Sequence, residues 1–253
     1  MTDHPTSEHP TSASPDLRVG RVPWITVLVL LACAIPVGLV DELAAMAAGV
    51  IDMPSDVDQE LRAFQQFGQF GVLLLVGVIV WQLEPPAIRR TLLDLGLAAL
   101  VTVLVANTMK TAVGRVRPAF GSPDEFYGWF TTAETTMSWS QCASMPSSHT
   151  AAAAVLAAWM AIVQPRLRWL GIGLTVVVGI ARIRFGNHWP SDVLVGAALG
   201  SFVGSLVVGR LLGTRLLDLV WRCMVDRQAG PAAPEVAAAI RERARSVGQR
   251  RQG

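Results

Sequence analysis

Three short clusters in this chain hold the residue types that acid–base and nucleophilic chemistry requires. Lys110 is the single lysine among 21 basic residues. A sequence that otherwise uses arginine for every positive charge selects a compact point charge there, unless the side chain only snorkels from a helix end. Seven residues on stand Arg117 and Pro118, with Arg115 nearby. The second cluster is Pro146-Ser147-Ser148-His149, directly before an alanine-rich run. Either serine is an ordinary helix N-cap. The same place also offers free backbone N–H groups and the positive end of a helix dipole, an anion site with His149 in its first turn. The third cluster runs from Ala181-Arg182 to His188-Trp189-Pro190-Ser191-Asp192. If that turn is helical, His188 and Asp192 share a face one turn apart. A carboxylate on one imidazole nitrogen fixes the tautomer and frees the other nitrogen to attack; taken alone, such a pair is more often a structural hydrogen bond.

Together the clusters suit a phosphate. Two histidines, several fixed cations and helix-start donors fall on one side of the chain's apolar segments, and ionisable groups near a bilayer are costly enough to be functional candidates. No cluster supplies the carboxylates of a magnesium site, so the cations must neutralise charge developing on a phosphoryl group. Neither a metal nor another cofactor is expected. Cys33, Cys142 and Cys223 have no evident reason to pair, and only two histidines lie outside the N-terminal tail, which leaves a zinc site unsupported. A net charge of +2 with dispersed arginines excludes nucleic acid as a partner.

The elements that must position these residues are apolar. Of 253 residues, 52% are hydrophobic and 16% charged, with mean hydropathy +0.44; this predicts one membrane-embedded domain. Apolar runs at about 23–40, 67–83, 91–109, 147–163, 169–182 and 193–213 predict an all-α, polytopic bundle of six transmembrane helices. The fifth is short, but arginines flank it and Trp169 sits where an interfacial aromatic belongs. The expected organisation is a disordered cytoplasmic tail over 1–22, the membrane domain over 23–213 and a basic, partly helical cytoplasmic tail over 214–253. Arginines before the first run, between the second and third, between the fourth and fifth, and after Arg210 alternate with an acidic first loop containing Asp41, Glu42, Asp52, Asp56, Asp58 and Glu60. The positive-inside rule then places both termini in the cytoplasm and the loops 110–146 and 183–192 outside, and the Arg-rich, Lys-poor usage points to a bacterial plasma membrane. Leu30-Leu31-Ala32-Cys33 looks like a lipidation box, but the apolar run continues to Val40, as a spanning helix does. Gly196, Gly200 and Gly204 predict close helix packing within the chain.

The three clusters, in order, resemble those of the type 2 phosphatidic acid phosphatase family, whose relatives include lipid phosphate phosphatases, glucose-6-phosphatases and vanadium haloperoxidases. The family pattern K-x6-R-P matches Lys110 through Pro118. P-S-G-H is similar to Pro146-Ser147-Ser148-His149, with Ser148 in place of glycine, and S-R-x5-H-x3-D to Ala181 through Asp192, with Ala181 in place of serine. The resemblance implies that His188 forms a phosphohistidine, Asp192 orients it, and His149 protonates the departing lipid oxygen and then activates water. It also implies that Lys110, Arg117, Ser147, the Ser148 backbone and Arg182 hold the phosphate. Membrane lipids and a lipid phosphate are the implied partners, with phosphatidic acid, phosphatidylglycerophosphate and undecaprenyl diphosphate all open as substrates; the oligomeric state is not set. Transfer to another hydroxyl, haloperoxidase chemistry and a non-catalytic scaffold or transporter are the rival readings. Phe126, Tyr127, Trp129, Phe130 and Trp139 form either an interfacial belt or a guide for the lipid chain.

Overall fold

The computed structural model describes residues 17–128 and 137–249. Among them the chain is all-helical, and its one β feature is an isolated bridge between Arg115 and Phe126. The first apolar run forms α1 (Trp24–Gly38), which carries Pro36 and ends in a bend of 83° into α2 (Asp41–Val50). Proline removes a helix hydrogen-bond donor, and Asp41 and Glu42 in the first turn of α2 favour a fresh helix start. The acidic first loop is itself helical: α3 (Ser55–Phe64) bears Asp56 and Asp58 in its first turn and Arg62 in its last, then a 3-10 turn leads to α4 (Phe70–Leu83). A single turn, α5 (Pro86–Arg89), precedes α6 (Thr91–Val113). The remaining helices are α7 (Ser148–Val163), α8 (Arg168–Arg184), α9 (Pro190–Gly209), α10 (Leu212–Met224) and α11 (Ala233–Gln249).

All six apolar runs are helices: α1, α4, α6, α7, α8 and α9. By length and composition, however, only Pro86–Val113 and Pro190–Gly209 can each cross a membrane among the described residues. Counting each bent pair, α1 with α2 and α3 with α4, as one broken span raises the number to four. With 16 and 17 residues, α7 and α8 are shorter than a hydrocarbon core requires of a straight helix. The architecture is that of a membrane protein with two to four candidate spans.

Helix α7 is the centre. Its alanines allow neighbours close approach, and α6, α8 and α9 all pack on it. Trp159, Val155 and Val163 of α7 are buried with Val208 of α9, and the Trp159 indole donates to Thr91 Oγ1 at the start of α6 (3.1 Å). The glycines of α9 are packing residues: a β-carbon at Gly200 would run into the Ala151 carbonyl, and one at Gly196 into that of Ser147. This seats the helix carrying Asp192 against the helix carrying His149. By contrast, Ile25, Ile35, Leu43, Leu74, Leu75, Val78 and Ile79 on α1, α2 and α4 face outward, as a lipid-facing surface would.

The segment expected as a C-terminal tail is two packed helices. Asp94 of α6 accepts from the Gly213 and Thr214 amides (2.7 and 3.2 Å) and from Thr214 Oγ1 (2.7 Å), holding the start of α10. Val236, Ala237 and Ile240 of α11 are buried in the same core, and Arg243 pairs with Glu84, which also accepts from Gln164 (2.6 Å). Cys33, Cys142 and Cys223 are free thiols.

Candidate active site

The three clusters converge at one end of α6, α7 and α9. Gly114 closes α6 in the left-handed conformation (φ 61°), where glycine avoids a steric penalty. In the last turn before it, Lys110 is buried and donates through Nζ to the Ala143 carbonyl (2.7 Å). Arg117 Nη2 reaches the same carbonyl at 3.5 Å. Arg182, in the last turn of α8, donates to Gln65 Oε1 (3.0 Å). Among the described residues the buried Nε atoms of Arg117 and Arg182 have no hydrogen-bond partner. These two arginines and Lys110 lie around one point.

That point is His188, which is 1% exposed. Its Nδ1 lies 2.7 Å from the Ser144 carbonyl. A carbonyl only accepts, so Nδ1 carries the proton and Nε2 keeps its lone pair. Burial, and then the charges of Lys110, Arg182 and Arg117, hold the imidazole well below its ordinary pKa. The ring is therefore neutral at neutral pH, with the Nε2 lone pair free. Burial likewise lowers the Arg117 pKa, opposed by Asp192.

The direct His188–Asp192 hydrogen bond anticipated from their spacing is not formed: Nδ1 and Asp192 Oδ2 are 4.0 Å apart. The physical reason is where α9 begins. Trp189 is an extended N-cap (φ −73°, ψ 153°), so His188 precedes the helix and the one-turn geometry does not apply. Asp192 instead folds back onto the Trp189 amide (3.0 Å), a capping arrangement. Its Oδ2 also accepts from Ser144 Oγ (2.5 Å) and its Oδ1 from Arg115 Nη1 (2.8 Å). Ser144 thus links the two groups, with its hydroxyl on Asp192 and its carbonyl on His188.

Ser147 is the N-cap of α7. Its buried hydroxyl meets Thr150 Oγ1 (2.9 Å) and its amide donates to the Asp192 carbonyl (3.0 Å), tying α7 to α9. The open helix end leaves the first-turn amides of Ser148 and His149 beside the cations. The His149 ring meets the Gln69 amide nitrogen at 3.4 Å through Nε2.

Three residues outside the expected set complete the site. Arg115, buried, bridges Asp192 and Asp41, donating to Asp41 Oδ2 through Nη2 (2.7 Å), and also donates to Ser191 Oγ (2.7 Å). Asp41, 1% exposed, further accepts from the Ser191 amide (2.9 Å) and hydroxyl. Ser144 is the third. Position directly after the apolar run ending at Val40 is the one sequence signal that marks Asp41. Of the aromatic loop, Phe126 and Trp139 are exposed, Phe126 lies under the Arg115 guanidinium (5.6 Å), and Trp129 and Phe130 fall outside the described residues.

From His149 an apolar furrow of about 1020 Å³ runs between α4, α6 and α7, past Leu73, Leu95 and Leu100 to Trp81.

The model of the PAP2 superfamily matches residues 91–228. The chain belongs to that superfamily. It is 36% identical over 105 residues to the lipid A 1-phosphatase of Rhizobium johnstonii, a match covering 41% of each chain; it thus spans about two fifths of that relative's length. It is 30% identical over 176 residues to the decaprenylphosphoryl-5-phosphoribose phosphatase of Mycobacterium tuberculosis, covering 68% of this chain and 90% of the relative. Among solved structures, Aquifex aeolicus LpxE shares the fold, with a TM-score of 0.52 at 20% identity over 64% of this chain and 91% of that one.

Proposed function

We propose that this PAP2 protein is a membrane-embedded, metal-independent phosphatase of lipid phosphates that works through a phosphohistidine at His188. The observation that carries this reading is the junction of a buried, neutral histidine ringed by Lys110, Arg117 and Arg182 with an apolar furrow that begins at His149. The cations take the phosphate and the furrow takes the chain.

In the first step His188 Nε2 attacks phosphorus, the bond to the lipid oxygen breaks, and His149 donates its proton to that oxygen. In the second, water attacks the phosphohistidine as His149 takes its proton, which releases inorganic phosphate and restores His188. Lys110, Arg117, Arg182 and the Ser148 and His149 amides at the helix start that Ser147 caps stabilise the equatorial oxygens. Ser144 holds the reactive tautomer, and Asp192, anchored by Arg115 and its own helix start, fixes Ser144 and balances the imidazolium charge. Ser148, standing where relatives carry glycine, contributes its amide.

The six apolar helices form the spanning bundle in this reading. Arg18, Arg21, Arg89, Arg90, Arg166 and Arg168 lie on the cytoplasmic side of a bacterial plasma membrane and the site faces outward. The named activities of the relatives, a lipid A 1-phosphatase and a decaprenylphosphoryl-5-phosphoribose phosphatase, favour a phosphate ester on a lipid, and undecaprenyl diphosphate, phosphatidylglycerophosphate and phosphatidic acid stay as the candidates that the family resemblance implies. Purified protein in mixed micelles is expected to release phosphate from at least one of these lipids and to lose that activity in His188→Ala. Turnover retained by that variant rejects the assignment.

A further inference from the structure

The furrow reaches Trp81. A second recess of about 440 Å³ shares Trp81 and Leu92 with it and opens at the other end of α6, lined also by Arg89, Arg90 and Leu217. Arg90 caps the start of α6 and Lys110 ends it, twenty positions later. At 1.5 Å per residue these cations stand about 30 Å apart, one hydrocarbon thickness. The furrow and the recess thus lie end to end along α6, from the active site at one membrane face to an arginine pair at the other.

That pair is set up to receive an anion. Arg89 Nε is fixed on the Glu84 carbonyl (2.6 Å), with its guanidinium 5.5 Å from the Trp81 ring centre. The Arg90 side chain has no hydrogen bond or ion pair among the described residues. No carboxylate lines the recess. Glu84 is held by Arg243 and Gln164, and Asp94 by Gly213 and Thr214, so neither pairs with the arginines. Beside the recess, α10 turns Leu216, Leu217, Val220 and Trp221 outward, the form of a helix lying in a membrane interface.

We propose that this recess binds an anionic phospholipid from the leaflet opposite the active site. Its phosphate sits between Arg89 and Arg90, and its acyl chain rises along Trp81 and Leu92 to fill the lower part of the furrow. The proposal rests on the membrane placement above but not on the chemistry at His188, because the ligand is not the substrate and its binding is read without turnover.

The test is native mass spectrometry of the full-length protein, released from detergent after exposure to equal amounts of dioleoyl phosphatidylserine and dioleoyl phosphatidylcholine. Wild type is expected to retain phosphatidylserine roughly tenfold or more over phosphatidylcholine, since two arginines at a membrane surface confer at least that preference. Arg89→Gln/Arg90→Gln loses the preference while keeping its helical circular-dichroism spectrum. Arg166→Gln/Arg168→Gln, which removes two cations on the same face outside the recess, keeps it. No preference in wild type, an unchanged preference in the Arg89/Arg90 variant, or an equal loss in the Arg166/Arg168 variant overturns the proposal.

Discussion

Asp41→Asn probes the part of the site that lies farthest from the motifs. The substitution preserves shape and leaves one oxygen to accept from the Ser191 amide, but it presents an N–H donor to Arg115 Nη2, itself a donor. Breaking a buried ion pair costs about 3–5 kcal/mol. Arg115 keeps Asp192 and the Pro123 carbonyl, so the low end, about 3 kcal/mol, applies. For a chain of this size that lowers the thermal midpoint by roughly 6–12 °C. Arg115 also sets Asp192, and small displacements of a catalytic group lower kcat steeply; a fall of roughly 10- to 100-fold with KM unchanged is expected. The assay is detergent-solubilised melting together with initial rates on a lipid phosphate, with the exposed neighbour Glu42→Gln as control. Should Asp41→Asn match wild type in both melting and kcat, the Asp41–Arg115–Asp192 ladder plays no part in the site.

Four further outcomes follow from the same geometry. Ser144→Ala strips one donor from the buried Asp192 carboxylate, which costs about 1–3 kcal/mol, and lowers kcat more than substrate affinity; equal kcat in a rate assay contradicts the role given to Ser144. Gly200→Val pushes a side chain into the Ala151 carbonyl and separates α7 from α9, destabilising by about 3 kcal/mol or more, read as a lower melting midpoint. His188 has a depressed pKa when folded, so below its unfolded value of 6.5 the unfolded chain binds a proton that the native one does not. Stability therefore falls as pH drops through that value, and His188→Gln flattens the slope of melting temperature against pH between 7.5 and 5, a range of roughly one unit to either side. Phosphate release persists in EDTA, because the arginines and Lys110 supply the positive charge; complete loss on chelation contradicts this.

The convergence of the three clusters was legible because each sits at a helix end that its own sequence announces. The apolar runs ending at Lys110 and beginning at Ser147 became α6 and α7, and Pro190 began α9. What the sequence hid was of two kinds. The first is long-range pairing: Asp41 meets Ser191 across 150 positions, and an acid inside an acidic segment gives no sign of the partner it will find. The second is where a helix begins. His188 and Asp192 are spaced as a helical pair, but Trp189 is extended, so the contact passes through Ser144. The count of spans was less legible, since the backbone bends between Gly38 and Asp41 at the end of the first run, and α7 and α8 are shorter than a straight span needs. The end of the basic C-terminal segment looked like a tail because Val236 and Ile240 of α11 are spaced on one helical face that needs the bundle to bury it.

The central claim is covalent chemistry at His188, and the most direct measurement is rapid acid-free quench with a radiolabelled phosphate substrate. A substrate whose leaving group needs no proton, used with His149→Ala, separates formation of the intermediate from its hydrolysis. A base-stable, acid-labile phosphoryl adduct that accumulates and maps by peptide mass spectrometry to His188 is the predicted result. Turnover without any such adduct, or an adduct on a different residue, contradicts it.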